Sequence, residues 1–360
     1  MKQYDVAAFV WPAYTGDEER TRIFWPEGIG EWQTVKNVRD TLVNKPGYHW
    51  DRKPLWGYVN EADPYVMEME IEAAVDHGVN VFIYDWYWFD NRPFLENCLN
   101  DGFLKAKNHD KMKFFLMWAN HTADNTWDRR TAHQNVPIWD GKVNFEQFQV
   151  IGRRWIEKYF LLPCYYRIHG KPVVSIYDVR NFMQGLGGME PARKALEWLD
   201  EEAKKAGLPG VHVQMIKTRI NGIEYKEVMK GLGFDSWTHY QFRGITGGDK
   251  DYMELMPEVL AEWDYMREGT GKEFYPHVSI GWDNNPRFFT FRPDIITGNT
   301  PEAFAYALQK AKEYCDQYNE VPLITINSWN EWTETSYLEP DNVYGYGYLE
   351  AVKRVFCTKT

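Results

Sequence analysis

Short apolar runs alternate along this chain with segments whose apolar residues recur every three or four positions. Val6-Ala-Ala-Phe-Val-Trp11 is the first run, and others lie at 79–84, 113–118, 172–177, 211–216, 234–238, 274–280 and 323–326. Each is rich in β-branched or aromatic residues and bounded by polar or turn-forming positions, as a buried strand should be. Helical spacing fills the gaps. Asp63-Pro64 supplies a cap and a proline at the first helical position, Val66, Met69, Ala73 and Ala74 supply one apolar face, and Gly78 a stop. Further helices are expected at 92–107, 144–159, 192–206, 225–232, 252–267, from Thr300-Pro301 onward, and at 347–356.

Eight strands alternating with helices predict parallel pairing and an α/β fold, a closed (β/α)8 TIM barrel with extended β-to-α loops. An open doubly wound sheet is the runner-up, but no GxGxxG follows the first strand. No linker divides the chain, so 1–360 reads as one catalytic barrel domain. The stretch 15–61 has no clear periodicity. It holds Gly28-Ile-Gly-Glu-Trp32 and Pro54-Leu-Trp-Gly-Tyr58, and reads as a functional loop.

In such a barrel all C-terminal strand ends face one mouth. The expected rim gathers Trp11 and Tyr14, Asp85 and Trp86, Asn120 and His121, Asp178, Lys217, His239, Trp282 and Asp283, and finally Asn330, Glu331 and Glu334. Taken singly, most have blander readings: His121 and His239 as packing histidines, Trp86 as core, Lys217 and Arg219 as a solvated or ion-paired face. The last strand end is the most pointed. An apolar run stops abruptly at Asn327-Ser-Trp-Asn-Glu-Trp-Thr-Glu334. Two carboxyls in one aromatic pocket can be driven to different proton affinities, giving an acid and a base at one pH. Cleavage of a glycosidic bond needs that pair. The plainer alternative is a helix start, with Glu331 as cap and Glu334 in the first turn.

Composition narrows the partners. The net charge of −11 argues against nucleic acid or an anionic membrane, and no run approaches the length of a membrane helix. A neutral sugar places no demand on charge. Seventeen Trp, 23 Tyr and 20 Phe exceed what core packing usually asks, and indole faces stack on sugar rings. Cys98, Cys164, Cys315 and Cys357 form no CxxC pair. HxH, HExxH and GxSxG are absent, so neither metal nor cofactor is expected. Met1-Lys-Gln-Tyr-Asp lacks the apolar core of a leader, which fits a cytoplasmic protein or one whose leader has been removed. Oligomeric state is not legible.

Trp329-Asn-Glu-Trp-Thr-Glu334 and the trailing Tyr337-Leu-Glu-Pro-Asp341 resemble the signature of the WbsX-like family, which is related to the glycoside hydrolase family 99 endo-α-mannosidases. Gly281-Trp-Asp-Asn-Asn-Pro-Arg287 and Gly30-Glu-Trp32 resemble two further signatures. Where relatives usually carry glycine after the second glutamate, this chain has Thr335. The resemblance implies a (β/α)8 barrel and a retaining glycosidase acting on an α-linked glycan. It assigns Glu331 as the base toward the substrate's 2-hydroxyl, which closes a 1,2-anhydro sugar. It assigns Glu334 as the acid/base at the leaving oxygen. Glu31, Asp85, Asn120, His121, His239, Asp283 and Asn330 are then candidate hydroxyl ligands. Trp11, Trp32, Trp86, Trp282 and Trp332 are candidate ring platforms, with Tyr14 and Arg287 in the same set. A glycosyltransferase of polysaccharide assembly, with Asp283 and Asp85 as an acidic pair, and a non-catalytic carbohydrate-binding barrel stay open.

Overall fold

A computed structural model describes residues 3–38 and 44–357. Residues 39–43 of the long first loop, and the first two and last three of the chain, lie outside the described residues. The barrel strands are β1 (Asp5–Val10), β2 (Val81–Phe89), β3 (Lys113–Trp118), β4 (Lys171–Ile176), β5 (His212–Lys217), β6 (Ser236–His239), β7 (in two pieces, Glu273–Phe274 and His277–Ser279) and β8 (Leu323–Asn327). Each pairs in parallel with its neighbours, and β1 pairs with both β2 and β8. The first piece of β7 pairs with β6 and the second with β8, which closes the sheet into the expected (β/α)8 barrel. Tyr275-Pro276 divides the two pieces. Pro276 has no N–H to give to a ladder, but its carbonyl accepts Thr325 N at 3.1 Å.

The helices are α1 (Pro64–Asp76), α2 (Phe145–Trp155), α3 (Val179–Leu186), α4 (Met189–Lys205), α5 (Tyr225–Leu232), α6 (Tyr252–Arg267), α7 (Pro301–Tyr318) and α8 (Gly347–Phe356). Asp63 caps α1, accepting Tyr65 N at 2.9 Å. The buried face of α1 is Met67, Glu70, Ile71 and Ala74; of the expected face Ala74 is buried, whereas Val66 and Ala73 are half-buried and Met69 is exposed. A carboxylate takes a core position there because it accepts Trp329 Nε1 at 3.0 Å.

No α-helix occupies 92–107. β2 runs on to Phe89, turns at Asp90-Asn91 with φ of 55° and 60°, and pairs antiparallel with Arg92–Phe94. Asp and Asn tolerate that left-handed turn. A π-turn, Cys98–Gly102, follows. Helix α3 was not anticipated. It begins because Asp178 caps it, its carboxylate accepting Asn181 N at 2.8 Å. Asp178 therefore has a structural duty at the rim.

Candidate active site

The stretch after β8 folds back on itself. Asn330–Glu331 pairs antiparallel with Ser336–Tyr337, and Trp332–Glu334 forms the tight turn between them. This small hairpin sorts the motif into two sets. Trp329, Asn330 and Trp332 face inward, donating to Glu70, Glu61 and Glu339. Glu331 and Glu334 face the barrel mouth and line a cavity of about 260 Å³.

Arg287 holds these two acids. Its Nη2 donates to Glu331 Oε1 at 2.7 Å, its Nη1 to Glu334 Oε1 at 2.8 Å, and its Nε to Glu31 Oε1 at 3.2 Å. The loops that deliver these groups are stitched together. Asp283 N donates to the Glu334 carbonyl at 2.8 Å, and the Thr335 hydroxyl to the Asp283 carbonyl at 2.8 Å. Glu31 arrives on a backbone that only glycine allows: a Cβ on Gly30 would lie 2.0 Å from the Ala13 carbonyl oxygen. That contact explains the Gly30-Glu-Trp32 pattern.

Two carboxylates this close, buried on one guanidinium, cannot both ionise cheaply. Burial pushes Glu331 well above the ordinary carboxylate range, with Glu334's charge adding to it and Arg287 opposing. Burial also raises Glu334, less far, because Arg287 pulls it back. Glu331 is 4% exposed at its side chain and Glu334 13%. The charge on Glu334 disfavours ionisation of Glu331, so the two titrations are linked.

Trp11, Asp85 and His121 also reach this cavity, as expected from the strand ends. Asp85 accepts the Tyr240 hydroxyl at 2.9 Å through Oδ2, while its Oδ1 has no partner among the described residues. Burial lowers the pKa of His121 below the ordinary histidine value. Trp282 lines a neighbouring cavity, also about 260 Å³, which shares Tyr177, Tyr240 and Glu334 with the first. Glu334 stands at the junction of the two.

The other expected ligands line neither cavity, and each has a physical reason. Trp86 sits on the outer face of β2, donating to Glu96 at 2.8 Å and packing on Trp155. Trp32 donates to the Val59 carbonyl at 2.6 Å. Trp332 stacks on Tyr337 with centroids 3.8 Å apart. Tyr14 and Glu31 are fully buried, with the Tyr14 hydroxyl 3.4 Å from Glu31 Oε2. Asn120 bridges to the Asp178 backbone at 2.7 and 2.8 Å. His239 packs with Nδ1 3.1 Å from the Lys217 carbonyl and Nε2 3.5 Å from Glu262. Asp283 accepts the Tyr48 hydroxyl at 2.7 Å and Asn285 N at 3.0 Å. Asn330 exchanges hydrogen bonds with the Trp11 backbone, at 2.8 and 2.9 Å.

The aromatic wall is instead Trp11, Tyr87, Trp127, Tyr177 and Tyr240. Strand alternation could have found Tyr87: Asp85 and Tyr87 point inward, Trp86 outward. Tyr177 and Tyr240 are the residues directly after β4 and β6.

The fold is thus a parallel eight-stranded barrel that carries Glu331 and Glu334 on the loop after its last strand. The chain matches the family described as "Glycosyltransferase WbsX" over residues 6–352, and it belongs to that family. A curated relative, the uncharacterized protein WxcX of Xanthomonas campestris pv. campestris, is 25% identical over 350 residues. That match covers 92% of this chain and 46% of WxcX, so the chain spans about half the length of the curated relatives it matches. Among solved structures, a glycoside hydrolase-like protein aligns with a TM-score of 0.67 at 16% identity, covering 99% of this chain and 94% of that one. A GH99 endo-α-mannosidase from Bacteroides thetaiotaomicron aligns with a TM-score of 0.56 at 14% identity, covering 97% and 95%. These two likenesses establish the shared fold.

Proposed function

We propose that this barrel is a glycoside hydrolase acting on an α-linked oligosaccharide or polysaccharide, with Glu331 and Glu334 as its catalytic pair. The supporting observation is the Arg287 fork, which sets both carboxylates side by side at the wall of one aromatic-lined cavity. A covalent retaining mechanism uses carboxylates on opposite sides of the anomeric centre. Two acids on one guanidinium suit participation by a neighbouring 2-hydroxyl better. Glu331 takes the 2-hydroxyl proton as that oxygen closes on the anomeric carbon. Glu334 gives its proton to the departing oxygen, then draws one from the water that opens the 1,2-anhydro ring, while Glu331 returns its proton to the 2-oxygen as the C1–O2 bond breaks. The sugar's 2-hydroxyl, donating to Glu331, favours the ionised form there and leaves the proton on Glu334. Asp85 offers its unpartnered oxygen to another hydroxyl, and Trp11 and Tyr87 offer ring faces.

A panel of α-linked glycans, read by newly formed reducing ends, tests the activity. Matched substrates lacking the 2-hydroxyl test the route, and turnover of a 2-deoxy substrate at the parent rate would remove it. The family's description favours a second reading, a glycosyltransferase of polysaccharide assembly. Product formed only when a sugar nucleotide is supplied would select that reading.

A further inference from the structure

Directly behind the two cavity-facing glutamates lies a second set of acids that the proposed chemistry does not use. Glu61, Glu70 and Glu339 are 0%, 0% and 3% exposed, and one carboxylate oxygen of each lies within 4.8 Å of the others. They come from the end of the first loop, from α1 and from the segment after the hairpin. None is ion-paired to a lysine or arginine among the described residues. Each accepts instead from the hairpin, and Glu61 Oε2 accepts also from the Cys98 thiol at 3.6 Å. Trp329 Nε1 donates to Glu70 Oε2 at 3.0 Å, Asn330 Nδ2 to both Glu61 oxygens at 2.9 and 3.0 Å, and Trp332 Nε1 to Glu339 Oε2 at 2.5 Å. Glu70 Oε1 and Glu339 Oε1 are left without a partner.

An independent group points to the same place. Tyr84 of β2 is 1% exposed, its hydroxyl has no hydrogen-bond partner, and it sits beside Cys98, whose thiol donates to Glu61 Oε2. The acidic cluster, its unpartnered carboxylate oxygens and a nearby orphaned phenol have no counter-ion among the described residues. Three buried carboxylates this close repel one another unless something positive sits between them.

We infer that Glu61, Glu70 and Glu339 form a buried structural site for one hard divalent cation, Ca²⁺ by its three-carboxylate donor set. Carboxylates binding through one or both oxygens at about 2.3–2.6 Å meet such an ion's demand. Oxygens within 4.8 Å of one another can close on it by side-chain rotation. The indoles of Trp329 and Trp332 and the carboxamide of Asn330 then form the outer shell that orients the ligands. Through them the ion fixes the hairpin whose opposite face presents Glu331 and Glu334. It takes no part in bond making, and the inference stands whether or not the glycosidase reading does.

Metal content, ion-dependent stability and sensitised emission test it on the whole chain. After purification without chelator, elemental analysis is expected to find one Ca²⁺ per chain. Stripping the ion under mildly denaturing conditions and refolding lowers the melting temperature, and added Ca²⁺ restores it in a saturable way. Tb³⁺ in its place emits on indole excitation, through Trp329 and Trp332. Glu70→Gln keeps the acceptor for Trp329 but loses the Ca²⁺ response, whereas Glu72→Gln, on the exposed side of the same helix, keeps it. Wild-type protein with no bound metal and no Ca²⁺-dependent shift would overturn the inference, leaving a cluster held by protons alone. An equal shift in Glu70→Gln would also overturn it, by placing the ion elsewhere.

Discussion

Arg287 Nη2 lies 2.7 Å from Glu331 Oε1, a buried ion pair joining residues 44 positions apart. The same guanidinium reaches Glu334 and Glu31, so one cation balances three acids. Arg287→Met leaves those acids buried and unpaired. It should lower stability by about 3–5 kcal/mol, and any activity by at least about a hundredfold. Arg287→Lys keeps the charge but cannot reach three partners, and should recover stability more than turnover. Chemical denaturation and initial rates on one glycan separate these effects.

The coupled pair sets a pH profile. Burial raises both Glu331 and Glu334 above the ordinary carboxylate range. The ionised base is lost as pH falls through the lower step, and the protonated acid is lost as pH rises through the upper one. The bell of kcat/KM should therefore have both limbs above the ordinary glutamate value of 4.5. Glu334→Gln should remove the alkaline limb from any residual rate.

Thr335 sits with φ of 55°, where a β-branched residue is strained. Two hydrogen bonds offset the strain. Trp50 Nε1 donates to the hydroxyl at 2.9 Å, and the hydroxyl donates to the Asp283 carbonyl at 2.8 Å. Thr335→Gly relieves roughly 1 kcal/mol of strain but loses both bonds, for a net cost of about 1 kcal/mol. Thr335→Val keeps the strain and loses both bonds, so it should cost more than the glycine change. Thermal unfolding of the two variants gives the order.

Glu18 is buried beneath the first loop, and desolvation raises its pKa to about 7 despite bonds from Thr15 and Asn97 N. The unfolded chain releases this proton near the ordinary glutamate value. The folded state holds more protons between the two values, so this contribution to stability is full below about 4.5 and is lost as pH rises through about 7. It amounts to at most about 3 kcal/mol. Glu18→Gln should flatten the fall in denaturation midpoint between those pH values.

Much of the barrel was legible because periodicity alone carries it. Helices at 225–232, 252–267 and 347–356 and the strand at 113–118 lie where the pattern put them. Segment 92–107 did not, since β2 continues past its apolar run into Asp85-Trp-Tyr-Trp-Phe89, whose aromatic residues also pack as strand. At the rim, residue type was readable but side was not. Trp32, Trp86 and Trp332 have the chemistry of sugar platforms, yet their indole N–H groups serve buried acceptors. Arg287 stood among the sugar ligands because nothing local to its sequence reveals partners at positions 31, 331 and 334.

The account rests on Glu334 as the proton donor at the junction of the two cavities. The most direct measurement pairs turnover with glycan affinity in wild type and Glu334→Gln, on the best substrate from the α-linked panel. The account predicts that Glu334→Gln binds the glycan within a few-fold of wild type while hydrolysis falls to background. Hydrolysis at the wild-type rate in that variant would contradict it.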